Sequence, residues 1–542
     1  MDAVTTVPVP VNEPVRSYAP GSAERASITR ELDVLAGTVV DVTPVIDRSW
    51  APGTAPTVHE VRMPSDHGTL LARVHQASAA DAAAAIDAAG RAKAAWAATP
   101  FDERAAVFLR AADLLAGPRR DQLNAATMLG QGKTVQQAEI DSACELVDFL
   151  RFNVAFAREL YAQQPLSSPG VWNRMDYRPL DGFVYAITPF NFTAIAGNLP
   201  TAPALLGNTV IWKPALTQTF AAQFWMQLLA DAGLPEGVIS MLPGHGAEVS
   251  DVALAHPDLA GIHFTGSTRV FQGLWGQVGG AIAGYRSYPR LVGETGGKDF
   301  VVAHPSADPA ALVVALVRGA FEYSGQKCSA ASRCYLPRSL WNLIRDELVA
   351  AVEGLAVGDV RDFTNFTSAV IDERAFDKLS GAIGRARESA QVIAGGGCDR
   401  SEGWYVRPTL VVSDDPGHEV FTTEFFGPLL GVFVYPDEQY ADVLELVDRS
   451  ASYALTGSVF ATDRAAVLTA SRVLRQAAGN FYVNDKPTGA VVGQQPFGGG
   501  RASGTNDKAG SLWNLMRWVS PRSIKETLVP PLSIGYPHMA AD

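Results

Sequence analysis

Cysteine is scarce in this 542-residue chain. Its four residues, Cys144, Cys328, Cys334 and Cys398, are scattered and form no CxxC pair. That spacing argues against a disulfide frame and a thiolate metal site, and it fits a reducing compartment. Basic charge is also short, with 44 Lys and Arg against 56 Asp and Glu for a net charge of −12. No basic stripe offsets repulsion by phosphates, so nucleic acid is not an expected partner. The dinucleotide fingerprint G-x-G-x-x-G is missing, and Gly244-His245-Gly246 is only a fragment of it. The one long uncharged stretch, Gly182 to Trp212, is broken by Pro189, Asn191, Asn198, Pro200, Pro203 and Asn208. Those residues would leave polar groups unsatisfied in lipid, so no membrane span is expected. No apolar signal pattern opens the chain, and Glu13, Glu24 and Glu31 are unlike a transit peptide. A cytoplasmic location is the resulting expectation. Internal repeats and low-complexity segments are lacking too.

A chain of this length cannot bury a single core, so two or three domains are expected. The first fifty residues carry many prolines and few periodic apolar positions, as in an arm laid over the surface. From Ala79 to about Phe156 alanine-rich helical periodicity takes over. Short apolar runs then alternate with helical patterns: Val184–Ile187, Thr209–Trp212, Val238–Met241 and Gly261–Phe264. Such alternation predicts an α/β fold with a parallel sheet, whose ligands sit beyond the carboxyl ends of the strands. A second α/β block runs from Glu294 to about Asn484, with strands at Phe300–Val302 and Leu429–Phe433. Pro165–Arg178 and the tail after Lys508 fit neither block.

Chemistry is concentrated in a few islands. In Gly325-Gln326-Lys327-Cys328-Ser329-Ala330 a thiol lies beside a cation, which favours the thiolate. A lone free cysteine is more often a small buried apolar residue, and Cys144, Cys334 and Cys398 are read that way. Around Cys328 stand Thr188-Pro189-Phe190-Asn191-Phe192, Trp212-Lys213-Pro214, Phe264-Thr265-Gly266-Ser267, Glu294-Thr295-Gly296-Gly297-Lys298, Glu424-Phe425-Phe426-Gly427-Pro428 and Pro496-Phe497-Gly498-Gly499. In that order and spacing the islands resemble the aldehyde dehydrogenase superfamily, over roughly Thr43 to Ile524.

The resemblance implies a Rossmann-like NAD-binding domain (1–160 and 183–293), an α/β catalytic domain (294–485), and a small β oligomerisation flap with the C-terminal tail (161–182 and 505–542). A homodimer or larger homo-oligomer is expected with it, since sheet edges need covering. It implies Cys328 as nucleophile, Asn191 as the amide donor to a developing oxyanion, and Glu294 as the base that activates water against a thioester. Preorganised donors at an oxyanion are worth roughly 3–4 kcal/mol. The competing readings are a helix-capping asparagine and a solvated loop carboxylate. A base at Glu294 matters because members that pass the acyl group to coenzyme A dispense with it.

For the cofactor, the resemblance implies Lys213 at the adenosine ribose, Gly266 and Ser267 at the pyrophosphate, Glu424 at the nicotinamide ribose and Phe426 beside the nicotinamide. A helix N-terminus does present free N–H groups to phosphate. Many NAD-specific members carry a glutamate three residues after the lysine. Here that position is Leu216, so NAD is expected but nothing bars the 2′-phosphate of NADP.

Ser329 and the tract Thr488 to Gly499 resemble one branch of the superfamily, the one acting on glutamate γ-semialdehyde. Backbone amides of Gly489 and Ala490 with the Ser329 hydroxyl would cradle a carboxylate, and Phe190 and Phe497 would wall the aliphatic middle. The alternative for this tract is a glycine-rich turn at a subunit interface. The expected reaction is NAD-dependent oxidation of L-glutamate γ-semialdehyde, from 1-pyrroline-5-carboxylate, to L-glutamate in proline degradation. A proline dehydrogenase is then a functional partner. Competing functions are a dehydrogenase for another semialdehyde or aliphatic aldehyde, and a non-catalytic binding protein on this scaffold.

Overall fold

The computed structural model describes residues 4–47 and 49–541. The first three residues of the expected arm, Arg48 and the last residue of the tail therefore lie outside the described residues. Short apolar runs become strands Phe183–Ile187 (β1), Thr209–Lys213 (β2), Ile239–Met241 (β3), Leu259–Thr265 (β4) and Arg290–Glu294 (β5). They form one sheet in the order β3-β2-β1-β4-β5, with every pair parallel. β4 is buried along its whole length, as expected when helices cover both faces of a parallel sheet. Successive strands spread outward from β1 on one side and from β4 on the other. The order therefore switches between β1 and β4, where Ile187 stands opposite Phe264. Loops leaving the carboxyl ends at a switch point diverge and open a crevice.

A second sheet holds Asp299–Ala303 (β6), Ala331–Pro337 (β7), Gln391–Ala394 (β8), Thr409–Val412 (β9), Leu429–Tyr435 (β10), Thr456–Phe460 (β11) and Asn480–Val483 (β12). Its order is β8-β9-β10-β7-β6-β11-β12, parallel except between β8 and β9. Only Thr295-Gly296-Gly297-Lys298 separates β5 from β6, so the two sheets are joined directly at the site. Pro165–Arg178 and the C-terminal tract, which fit neither block in sequence, supply Val171–Pro179 and Val519–Thr527, an antiparallel pair largely open to solvent. Among the described residues no helix is long and apolar enough to cross a membrane.

The N-terminal arm is more structured than its prolines suggest. Residues 4–19 run without helix or strand. Helix Ala23–Ala36 follows, capped by the Ser22 hydroxyl, and buries Ile28, Leu32 and Leu35. That helical spacing is present in the sequence, but the flanking prolines mask it.

The helical region after Ala79 contains a knot of buried polar groups. Lys133 Nζ lies 2.6 Å from Asp141 Oδ2, and both side chains are fully enclosed. Asp141 also accepts hydrogen bonds from the Thr193 and Ala194 amides at 2.9 and 2.7 Å, which caps helix Thr193–Leu205. The Lys133 ammonium sits 3.9 Å from the centre of the Phe192 ring and 4.7 Å from that of Tyr323. Removing one member of a buried pair strands the other. Asp141→Ala is expected to cost about 3–5 kcal/mol. Asp372→Ala removes only the cap of the more exposed helix Glu373–Ser389 and is expected to cost about 1 kcal/mol. Thermal unfolding of both variants reads the difference, and equal shifts would remove the special status of the knot.

Candidate active site

Two clefts meet at Cys328, the only expected catalytic residue that lines both. The first is lined by Glu145, Phe192, Glu294, Ser329, Thr488 and Phe497 among others. The second lies at the switch point, between the loop after β1 (Pro189, Phe190, Asn191) and the loop after β4 (Gly266, Ser267). The sulfur is therefore reached from two sides.

A strained turn presents it. Tyr323, Ser324 and Gly325 have φ of 53°, 50° and 63°, a left-handed run that costs two non-glycine residues energy and persists only when its surroundings hold it. Tyr323 donates its hydroxyl to Gln131 O at 3.0 Å, and the Ser324 amide donates to Thr367 Oγ1 at 2.7 Å. At Gly325 a Cβ would stand 2.4 Å from the Gly427 carbonyl oxygen, so no side chain fits. Burial raises the Cys328 thiol well above its ordinary range, and the carboxylates of Glu294, Asp299 and Glu424 raise it further. Lys327 does not act as the sequence suggests. Its ammonium is turned to Glu322 at 3.2 Å, with Lys486 at 3.6 Å from the same oxygen.

Asn191 is buried beside the sulfur and spends one amide N–H on Gln326 O at 3.0 Å, which fixes the side chain and leaves the second donor. Glu294 ends β5 and lines the first cleft. Burial pushes its carboxyl up to about 8; Lys508 works against the shift and Asp507 adds to it. Its strand is braced by the 501–508 tract, where the Gly293 amide donates to Thr505 Oγ1 and the Thr295 amide to Ser503 O.

Four of the five expected cofactor residues, Gly266, Ser267, Glu424 and Phe426, line the second cleft. Ser267 caps helix Thr268–Gly280, so free N–H groups and the positive end of the helix dipole face the opening. Glu424 Oε1 accepts from the Gly297 amide at 2.9 Å, and Phe426 packs edge-on to Phe190. Thr265 Oγ1 is buried there with no protein partner among the described residues. Lys213 ends β2, and burial lowers its ammonium to about 8; Ala215 rather than Lys213 forms the wall. Leu216 packs into the core, leaving no carboxylate at its position.

In the first cleft Ser329 Oγ and Thr488 Oγ1 share a hydrogen bond of 2.8 Å, tying the neighbour of Cys328 to the 488–499 loop. Gly489, Ala490 and Phe497 line the same space. Phe190 does not: it belongs to the second cleft, and Phe192 takes the wall expected of it. Along an extended segment alternate side chains point to opposite sides, but here the chain turns into a helix and defeats that count. Among the lining residues not singled out from sequence are Thr488, Lys486 and Glu145. Glu145 ends the π-helix Glu139–Glu145, and burial pushes its carboxyl up to about 8. A carboxylate inside an otherwise regular helical pattern gives no sequence signal, although π-turns often mark functional sites. Among the described residues no cluster of His, Cys, Asp or Glu could hold a metal ion.

Residues 50–524 match the aldehyde dehydrogenase family, and the chain belongs to that family. Within it the chain is 49% identical over 542 residues to the delta-1-pyrroline-5-carboxylate dehydrogenase, mitochondrial, of Dictyostelium discoideum, covering 99% of this chain and 97% of the other. It is 50% identical over 543 residues to the protein of the same name from Emericella nidulans, covering 99% and 95%. A crystal structure of the delta-pyrroline-5-carboxylate dehydrogenase from Mycobacterium tuberculosis bound with NAD is similar throughout both chains, with TM-score 0.97 and 61% identity. The expectation of a cytoplasmic location is corrected by these relatives, which are named as mitochondrial. The acidic residues that argued for it have another reason to be there. Glu13 pairs with Arg120 and Arg151, and Glu24 lies in the first turn of a folded helix, so they carry no information about an address.

A raised thiol makes a direct prediction. Without cofactor, alkylation of Cys328 by iodoacetamide should quicken with pH through about 9 without levelling, because only the thiolate reacts. A plateau below about pH 8 would show the thiolate already formed.

Proposed function

We propose that this chain oxidises L-glutamate γ-semialdehyde, the open form of 1-pyrroline-5-carboxylate, to L-glutamate, with NAD as hydride acceptor. The observation that carries the reading is the Ser329–Thr488 hydrogen bond, which joins the nucleophile's segment to the 488–499 loop in one cleft. Neither the Gly489 nor the Ala490 amide donates to a described residue, so both are free for the substrate carboxylate. Glu145 meets the ammonium, and its raised carboxyl ionises when that cation arrives. Phe192 and Phe497 wall the aliphatic chain.

The Cys328 thiol releases its proton to solvent, its sulfur bonds to the aldehyde carbon, and the displaced electron pair settles on oxygen, facing the free N–H of Asn191 and the Cys328 amide. Gly266, Ser267, Glu424 and Phe426 suit NAD in the second cleft, with Thr265 Oγ1 unpartnered beside them and Lys213 at the ribose edge. NAD supplies the acceptor for the hydride. The thioester left on Cys328 is then attacked by water, Glu294 takes the water's proton, and glutamate leaves as the thiol re-forms. Leu216 puts no carboxylate against a 2′-phosphate, so NADP competes.

The retained Cys328, Glu294 and Asn191 count against a binding protein on a retired scaffold. The domains of this reading are NAD binding at 1–160 and 183–293, catalysis at 294–485, and flap and tail at 161–182 and 505–542; the existence of two separate sheets supports the division, although Glu294 closes β5 of the first. The exposed flap and tail, with Trp172, Leu532 and Ile534 open to solvent, support a homo-oligomer. Formation of the substrate from proline makes a proline dehydrogenase the functional partner.

The test is NADH formation from equilibrated 1-pyrroline-5-carboxylate beside propanal and succinate semialdehyde. A preference of about a hundredfold in kcat/KM, or about 2.7 kcal/mol, is expected; equal or reversed rates would restore the general aliphatic enzyme. Cys328→Ala should abolish turnover. Glu294→Gln should keep the first burst of NADH while steady-state turnover falls about 10²–10⁴-fold. Only ionised Glu294 accepts a proton, so the hydrolytic step should speed up as pH rises through about 8 and lose that dependence in the variant.

A further inference from the structure

The loop assigned to the amino-acid head is moored at both ends. Thr488 holds the near end through Ser329. The far end lies on helix Leu146–Tyr161, so close that a Cβ on Gly493 would stand 2.2 Å from the Phe152 ring. A residue far away in sequence completes this second mooring. Asn12, in the extended N-terminal segment, donates through Nδ2 to Val492 O and to Asp148 Oδ2, each at 2.8 Å. Its Oδ1 accepts from Gln494 Nε2 at 3.0 Å. Asp148 is buried on that helix, and its other oxygen accepts from the Glu13 amide at 2.7 Å. Val492 itself lines the substrate cleft.

We infer that Asn12 is a positioning residue for the substrate: the N-terminal segment acts as a strap that fixes the 488–499 loop at the height where Gly489 and Ala490 meet the carboxylate. The strap is anchored independently of the loop. Glu13 lies between Arg120 and Arg151, the Arg16 amide and the Tyr18 hydroxyl donate to the buried Glu139 at 2.8 Å each, and Thr5 donates to Asp102 at 2.7 Å. Glu139 opens the π-helix that ends at Glu145, so the strap touches both structures assigned to the head group. A bond made across the chain to a loop carbonyl preorganises that loop, which lowers the ordering cost of binding.

The inference rests on the reading of the loop as the head-group site, and its test separates the two. Asn12→Ala and Gln494→Ala are compared with Thr5→Ala, which loosens the strap away from the loop. Each is assayed with glutamate γ-semialdehyde and with propanal, which has no amino-acid head, and amide exchange of residues 488–495 is followed by mass spectrometry. In the first two variants KM for the semialdehyde should rise about tenfold with kcat within about twofold, propanal kcat/KM should stay unchanged, and the loop should exchange faster. Thr5→Ala should do none of these. Equal losses on both aldehydes, or an unchanged loop exchange in Asn12→Ala, overturn the inference. If the wild-type protein does not distinguish the two aldehydes, the substrate reading falls and the exchange measurement alone decides the strap.

Discussion

One buried ion pair fixes the distance between the two halves of the catalytic machinery. Lys133 and Asp141 sit on neither sheet, yet Asp141 caps the helix that begins two residues after Asn191, and Lys133 lies against the rings of Phe192 and Tyr323. Tyr323 in turn opens the left-handed turn before Cys328. Asn191 and Cys328 come from segments next to different sheets, and this pair is where those segments touch. Taking both charges out of water is costly. What the cost secures is specificity of placement: four hydrogen-bonding or ring contacts converge on two side chains, so neither segment shifts without the other.

The electrostatics of the site follow from burial. The thiol and the carboxyls of Glu294 and Glu145 are all pushed towards their neutral forms by the same dry cleft. Neutral groups can share a small apolar space that three anions could not. In the proposed chemistry each group acts as its anion: Glu145 opposite an ammonium, Glu294 as the carboxylate that takes a water proton, and the sulfur as the thiolate that forms the C–S bond. Charge in this cleft lies instead in the cluster of Glu322 with Lys327 and Lys486.

Much of this was legible in the sequence, and the parts that were not share a cause. The strands β1 to β5 are short apolar runs bounded by glycine or proline, a pattern with few alternatives. Asn191 sits in the loop just beyond β1 and Glu294 at the carboxyl end of β5, where the topology sends ligands, whereas Cys328 and Glu424 lie just before the amino ends of β7 and β10. Side-chain direction is harder. Phe190 and Phe192 are two apart and face different clefts. Lys327 precedes the thiol yet turns to Glu322. Glu145 reaches the cleft because a π-turn shifts the helix phase, which no 3.6-residue count anticipates. Asn12 and Glu13 look like solvated residues of an arm, because their partners are more than a hundred positions away.

The meeting of the two clefts at a single sulfur has an evolutionary side. The 488–499 tract lines the first cleft and not the second, so that wall can be rewritten while the lining of the second stays in place. An exchange of the 488–499 tract would redirect the enzyme to another aldehyde while leaving its redox partner untouched. Conversely, a carboxylate at position 216 would narrow the choice of dinucleotide without altering the carbon substrate. The fold thus separates two inheritances in one chain, and lineages can diverge along either one alone.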